Sequence, residues 1–143
     1  MLLGTYAPKL DDKGRLILPA KFVPDLDGGL VMTRGQERCV YVFAEREFET
    51  FHEKIRQAPV SSKQGRDFIR LLLSGATQDR PDGQHRVTVP QTLREYAGLE
   101  RDLTVIGAGN RIEIWSTAAW DAYYASVESD YVDTAEEVIP GLF

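Results

Sequence analysis

The chain has one cysteine, Cys39, and two histidines, His52 and His85, among its 143 residues. A single thiol can build neither a disulfide framework nor a cysteine-rich zinc site, which suits a reducing cytoplasm. There is no His/Cys cluster, no nucleophile motif and no Walker loop, so the expectation is a protein that is not an enzyme and needs no metal or cofactor. Long apolar runs are missing as well, and nothing has the length needed to span a bilayer. The start, Met1-Leu2-Leu3, is too short for a signal peptide. Together these absences imply a soluble, cytoplasmic protein with no membrane partner. Positive charge is also scarce: 17 Lys and Arg stand against 22 Asp and Glu, a net charge of −5. Taken alone, that sum counts against nucleic acid, whose binding domains are commonly basic.

Hydrophobic residues make up 43% of the chain, enough to bury a core and to argue against wholesale disorder. The most informative stretch is Asp11-Asp12-Lys13-Gly14-Arg15-Leu16-Ile17-Leu18-Pro19, because it recurs as Asp82-Gly83-Gln84-His85-Arg86-Val87-Thr88-Val89-Pro90. Asp11, Arg15 and Pro19 reappear as Asp82, Arg86 and Pro90, each 71 positions further on. A constant offset near half the chain length marks an internal duplication. Each copy reads as a turn, a short strand, and a Pro that ends the strand and can open a helix. Gly14 supplies the positive φ that such a turn needs. Leu16 and Leu18 alternate with Arg15 and Ile17, so both can face one core, as can Val87 and Val89.

The rest of the chain fits two half-units. Residues 3 to 10 read as a first strand broken at Pro8, and Pro19 to Phe22 as a helical turn kept short by Pro24. Leu30 to Thr33 and Cys39 to Phe43 form a strand pair. Ala44 to Gln57 is an amphipathic helix carrying Phe48, Phe51 and Ile55. Ser61 and Gln64 resemble a capping box for a second helix that runs to Gly75. In the second half, Ala76 to Gln78 is a strand, and Thr92 to Ala97 a helix closed by Gly98. Leu103 to Ile106 and Arg111 to Trp115 form a hairpin around Gly107-Ala108-Gly109-Asn110. Thr117 caps a last helix whose Trp120, Tyr124 and Val127 share a face. The halves are expected at 1–74 and 75–143, with an acidic C-terminal tail from about 128. Neither half has enough strands to close a barrel or bury both faces of a sheet, so the two are expected to share one barrel.

The paired motifs, together with Lys9-Leu10-Asp11-Asp12-Lys13-Gly14-Arg15 and Leu18-Pro19-Ala20-Lys21-Phe22, resemble the MraZ family, built from two tandem modules of the SpoVT–AbrB type. The resemblance extends from Leu3 through Trp115. It implies an α+β, mainly β fold: a double-split, swapped-hairpin β-barrel made by two half-repeats with flanking helices. It also implies a sequence-specific DNA-binding transcriptional regulator, associated with the nucleoid. Such a protein would assemble as a homo-oligomeric ring on repeated promoter boxes and repress its own cell-division and cell-wall operon. Other uses of SpoVT–AbrB modules leave two alternatives, an antitoxin-like protein or a ring-forming scaffold that does not bind DNA.

Charge distribution eases the conflict with net acidity. Between Lys9 and Lys21 stand four cations (Lys9, Lys13, Arg15, Lys21) and only two carboxylates, Asp11 and Asp12. Arg15 and Arg86 are the foremost candidates for contact with double-stranded DNA, at phosphate or a guanine edge. Asp11 and Asp82 can pin the loops; that pairing could be the whole role of each Asp and Arg, or it could hold the Arg ready for DNA. Lys9, Lys13 and Lys21 can meet phosphate or simply be solvated. The second copy is less basic. Its His85 can donate to phosphate or stand by as an exposed bystander. One loop alone would bind weakly, and an oligomer would multiply the contact.

Overall fold

Leu16 and Val87, the central residues of the two repeated strands, face each other across an antiparallel ladder. The fold is built around that pairing. The computed structural model describes residues 1–134 and 138–142. Its strands are β1 (Thr5–Tyr6), β2 (Arg15–Ile17), β3 (Leu30–Arg34), β4 (Val40–Ala44), β5 (Thr77–Asp79), β6 (Arg86–Thr88), β7 (Leu103–Gly107) and β8 (Ile112–Ser116). Its helices are α1 (Val23–Leu26), entered through a 3-10 turn at Ala20–Phe22, α2 (Glu45–Arg56), α3 (Lys63–Ser74), α4 (Gln91–Ala97) and α5 (Thr117–Asp133). The result is a mixed α+β chain in which every ladder is antiparallel.

Six strands form one sheet in the order β1-β7-β8-β4-β3-β5, and β2 pairs with β6 in a separate ribbon. Exchanging the halves turns β1 into β5, β3 into β7 and β4 into β8, and the order then reads the same backwards. Each half's first strand therefore pairs with the other half's hairpin: β1 with β7 and β5 with β3. The hairpins meet at β4 and β8, where Tyr41 faces Glu113. Among the described residues no ladder joins the ribbon to the sheet or closes it into a barrel.

Side-chain alternation along the strands explains the layers. Val40, Val42, Ile112 and Ile114 pack into one core with Leu16, Leu18, Phe22, Val87, Val89 and Leu93. The ribbon and the short helices therefore cover that face, and residues of both halves build the core together. On the opposite face Cys39, Tyr41, Phe43 and Trp115 pack with Phe48 and Phe51 of α2 and with Trp120 and Tyr123 of α5. Glu113, buried on this face, accepts from Arg111 Nη2 at 2.7 Å and from Trp115 Nε1 at 3.1 Å, which compensates its charge. Fully burying a Leu or Val side chain contributes about 1.5–3 kcal/mol, so these layers dominate the stability of the fold.

Several local expectations change. The first strand shrinks to Thr5–Tyr6, flanked by single bridges from Leu2 to Gly109 and from Lys9 to Asp102. Pro8 prevents a continuous ladder. The cap of α3 is Ser62, whose hydroxyl accepts from Gly65 N at 3.0 Å, not Ser61. Ser116, not Thr117, caps α5 by accepting from Ala119 N at 3.1 Å, while the Thr117 hydroxyl pairs with that of Thr104. The inward face of α5 is Trp120 and Tyr123, and Tyr124 points largely outward. The acidic tail begins as helix, because α5 continues to Asp133. Positions 135–137 and 143 of that tail lie outside the described residues.

Candidate nucleic-acid interface

Each repeated turn is closed by its aspartate in the same way. In the first, Asp11 Oδ1 accepts from the backbone N–H of Lys13 and of Arg15, both at 2.9 Å. Asp11 Oδ2 accepts from Arg15 Nε at 2.8 Å. The backbone seals the loop, with Asp11 N donating to Arg15 O at 2.8 Å and Gly14 N to Asp11 O at 3.0 Å. In the second, Asp82 Oδ1 accepts from Gln84 N and Arg86 N at 2.9 Å, and Oδ2 accepts from Arg86 Nε at 2.7 Å. Asp82 N donates to Arg86 O at 3.0 Å and His85 N to Asp82 O at 2.9 Å. The reading in which each Asp pairs with its Arg is therefore correct. It uses only Nε of the guanidinium. Among the described residues neither arginine's Nη nitrogens meet an acceptor, so the fork that can bind a phosphate or guanine bidentately is held in place and left open.

The carboxylates register this clamp. Asp82 is lowered from an ordinary 3.8 to about 2, chiefly by the Arg86 backbone N–H and then by its side chain. Asp11 is also lowered, first by the Arg15 backbone N–H and, against an opposing desolvation, by the Arg15 side chain and the Lys13 N–H. Hydrogen bonds to the charged form explain both shifts.

The loops also hold each other. Leu18 N donates to His85 O at 2.9 Å, and Val89 N donates to Gly14 O at 2.8 Å. Both loop tips take positive φ, 76° at Gly14 and 61° at His85. Histidine therefore does what glycine does in the first copy, at some strain. The turns stand at the two ends of the β2–β6 ribbon, related by the same exchange that relates the halves.

The surroundings differ. Lys13 and Lys21 are exposed and make no ion pair among the described residues. Lys9 is engaged: its Nζ donates to Asp102 Oδ1 at 2.5 Å, which lowers that carboxyl. Its counterpart in the second copy is Arg80, 71 positions on, exposed and without an ion pair among the described residues. The offset alone could have pointed to it. His85 is half exposed, with Nδ1 3.8 Å from Asp27 Oδ1 of the first half. Arg94, from α4 of the second half, lies against Gly14, a contact with no signal in the local sequence.

Two copies of an Asp-clamped arginine turn on an antiparallel ribbon, over a core shared by two half-repeats, define a duplicated loop-presenting module. A family model described as "MraZ protein, putative antitoxin-like" matches the chain twice in tandem, over residues 1–71 and 72–139. Proteins named transcriptional regulator MraZ are 64% identical in Clavibacter michiganensis and 66% identical in Leifsonia xyli, each aligning over 143 residues and the full length of both chains. One from Micrococcus luteus is 61% identical over the same span. The chain belongs to the MraZ family.

Proposed function

We propose that the chain is a DNA-binding transcription regulator whose Asp11–Arg15 and Asp82–Arg86 turns read double-stranded DNA. The observation that carries this reading is the twin clamp. Two aspartates take two arginines by Nε, in matching geometry, and leave both forks open at the ends of one ribbon. Arg15 and Arg86 would contact bases or phosphate, Asp11 and Asp82 position them, and Lys13 and Lys21 meet phosphate. Lys9, held by Asp102, and His85, beside Asp27, contribute less. The names of the relatives support the regulatory role.

The finer reading follows from weak single contacts. The chain would act as a homo-oligomeric ring on repeated boxes upstream of its own gene, repressing the operon there, and would reside with the nucleoid. Avidity reconciles that with a net charge of −5. An apolar face on α3, with Phe68 42% and Leu71 52% exposed, suits subunit contact. Phe48, Phe51 and Trp120 pack within the chain against the second core cluster. We read sheet and ribbon together as the family's double-split barrel, split between halves 1–74 and 75–143. Among the described residues no helix is long and apolar enough to cross a membrane.

A mobility-shift titration of the full chain against its upstream duplex and a scrambled duplex, at several salt concentrations, tests this reading. Salt-sensitive, selective retardation is expected, and equal or absent binding to both duplexes would overturn it. A second reading, an antitoxin-like protein, has the family description in its favour and the exposed Val138, Ile139 and Leu142 as a partner-binding segment. Copurification with a small toxin would support it.

A further inference from the structure

The two loops are built alike, yet each is flanked by a different residue of the opposite half. Beside the second loop stands a carboxylate, Asp27, 3.8 Å from His85. Beside the first stands a guanidinium. A Cβ placed on Gly14 would lie 2.8 Å from Arg94 Cζ and 3.0 Å from its Nη1, so the Arg94 fork rests directly on the loop tip. Arg94 Nε donates to Val89 O at 2.9 Å, and Val89 N donates to Gly14 O at 2.8 Å. The guanidinium is thereby tied to the residue that holds the loop. It is partly buried yet has no carboxylate partner among the described residues, and its Nη groups meet no acceptor there. Among the described residues no buried side-chain nitrogen or oxygen lacks a partner, so those Nη groups reach solvent. A partly buried cation with an open fork, fixed against the loop tip, is a receptor for an anion.

We propose that Arg94 is a further DNA-contacting residue, gripping a backbone phosphate beside the first loop and making that loop the stronger of the two. This rests on the reading that the loops bind DNA. The bond to Val89 O fixes where the fork points, and the absence of a Cβ on Gly14 leaves it room. The second loop lacks the arrangement, since the position 71 before Arg94 is Val23. A phosphate contact adds affinity without sequence preference, so Arg94 sets the unequal strength of the loops and leaves the choice of operator to Arg15 and Arg86.

Full-length Arg94→Gln, Arg94→Lys and Arg15→Ala are compared with wild type by mobility shift on the upstream duplex and a scrambled duplex, with melting and oligomeric state checked. Arg94→Gln is expected to weaken both duplexes alike, by about tenfold at low salt. It should reduce the salt slope by about 0.9 for each first loop engaged. Arg94→Lys keeps the charge and should keep most of the slope, which preserves the test if the Gln variant folds poorly. An unchanged slope in a folded Arg94→Gln protein overturns the proposal. So does a selective loss on the upstream duplex alone, because that is the signature of a residue that only props Arg15. If Arg15→Ala is also silent, the DNA-binding reading itself has failed; if Arg15→Ala alone is impaired, only the role of Arg94 has.

Discussion

The first loop ends in glycine and the second in histidine, and the contrast shows how a duplicated site diverges without changing its clamp. Asp11 and Asp82 hold Arg15 and Arg86 by the same hydrogen bonds. The surrounding charges have changed. Lys13 and Arg94 accompany the first tip, whereas Gln84 and Asp27 accompany the second. His85 reaches the φ its turn requires. The geometry that presents an arginine is thus common to both loops, while the charges around it differ, and the second copy keeps an exposed cation of its own in Arg80.

The largest expected effect tests whether the loops stand on one scaffold. Leu18→Ala should cost about 2–5 kcal/mol, and Val89→Ala somewhat less because fewer methyls are lost. Both side chains are buried in the core cluster shared by the halves, so either variant should lower one cooperative melting transition. Calorimetry showing two separable transitions, each sensitive to one variant, would break the comparison at its base. Next in size, Arg15→Ala should weaken operator binding by about 1–3 kcal/mol and relax selectivity. Arg86→Ala should do less. Equal losses in mobility shift would mean that the two tips are electrostatically equivalent.

Gly14→Ala sharpens the contrast from the conformational side. At a φ of 76°, a Cβ costs about 1–2 kcal/mol and displaces the Arg94 guanidinium. Chemical denaturation should show the first cost, and DNA titration the second. A smaller effect belongs to Lys13→Ala, which should weaken all duplexes alike and reduce the salt slope by about one contact. The clamp itself should respond to acid. Asp82 is held at about 2 in the folded chain against an ordinary 3.8. A depressed carboxyl contributes stability that is complete above its unfolded value and is lost as pH falls through the folded one. Loop order should therefore weaken from about pH 4 toward pH 2, and Asp82→Asn should abolish that part of the acid response in an NMR titration of the Arg86 Nε–H.

The repeat, the clamp and the strands that follow it are legible in the sequence because they are local: four residues separate each Asp from its Arg. Pro19 and Pro90 stop their strands and open helical turns as their fixed φ dictates. The exchange of β1 and β5 between halves is not legible, since strands of two and three residues carry almost no pattern. The engagement of Lys9 is not legible either, because Asp102, its partner, is 93 residues away. Arg94 was invisible as a loop residue for the same reason. The caps at Ser62 and Ser116 fell one residue from expectation because each adjoins another hydroxyl residue able to cap, Ser61 or Thr117, and only backbone geometry chooses between them.

The claim that both clamped arginines form the DNA-reading surface is tested most directly by one comparison. Wild type and the double variant Arg15→Ala/Arg86→Ala, matched for melting behaviour and oligomeric state, are titrated by mobility shift against the upstream duplex. Neither side chain belongs to the core cluster, so the double variant should fold and assemble as wild type does. It is expected to lose selective retardation while keeping at most a weak, salt-sensitive shift from its lysines and Arg94. A folded double variant that binds the upstream duplex with wild-type affinity and selectivity would contradict the account.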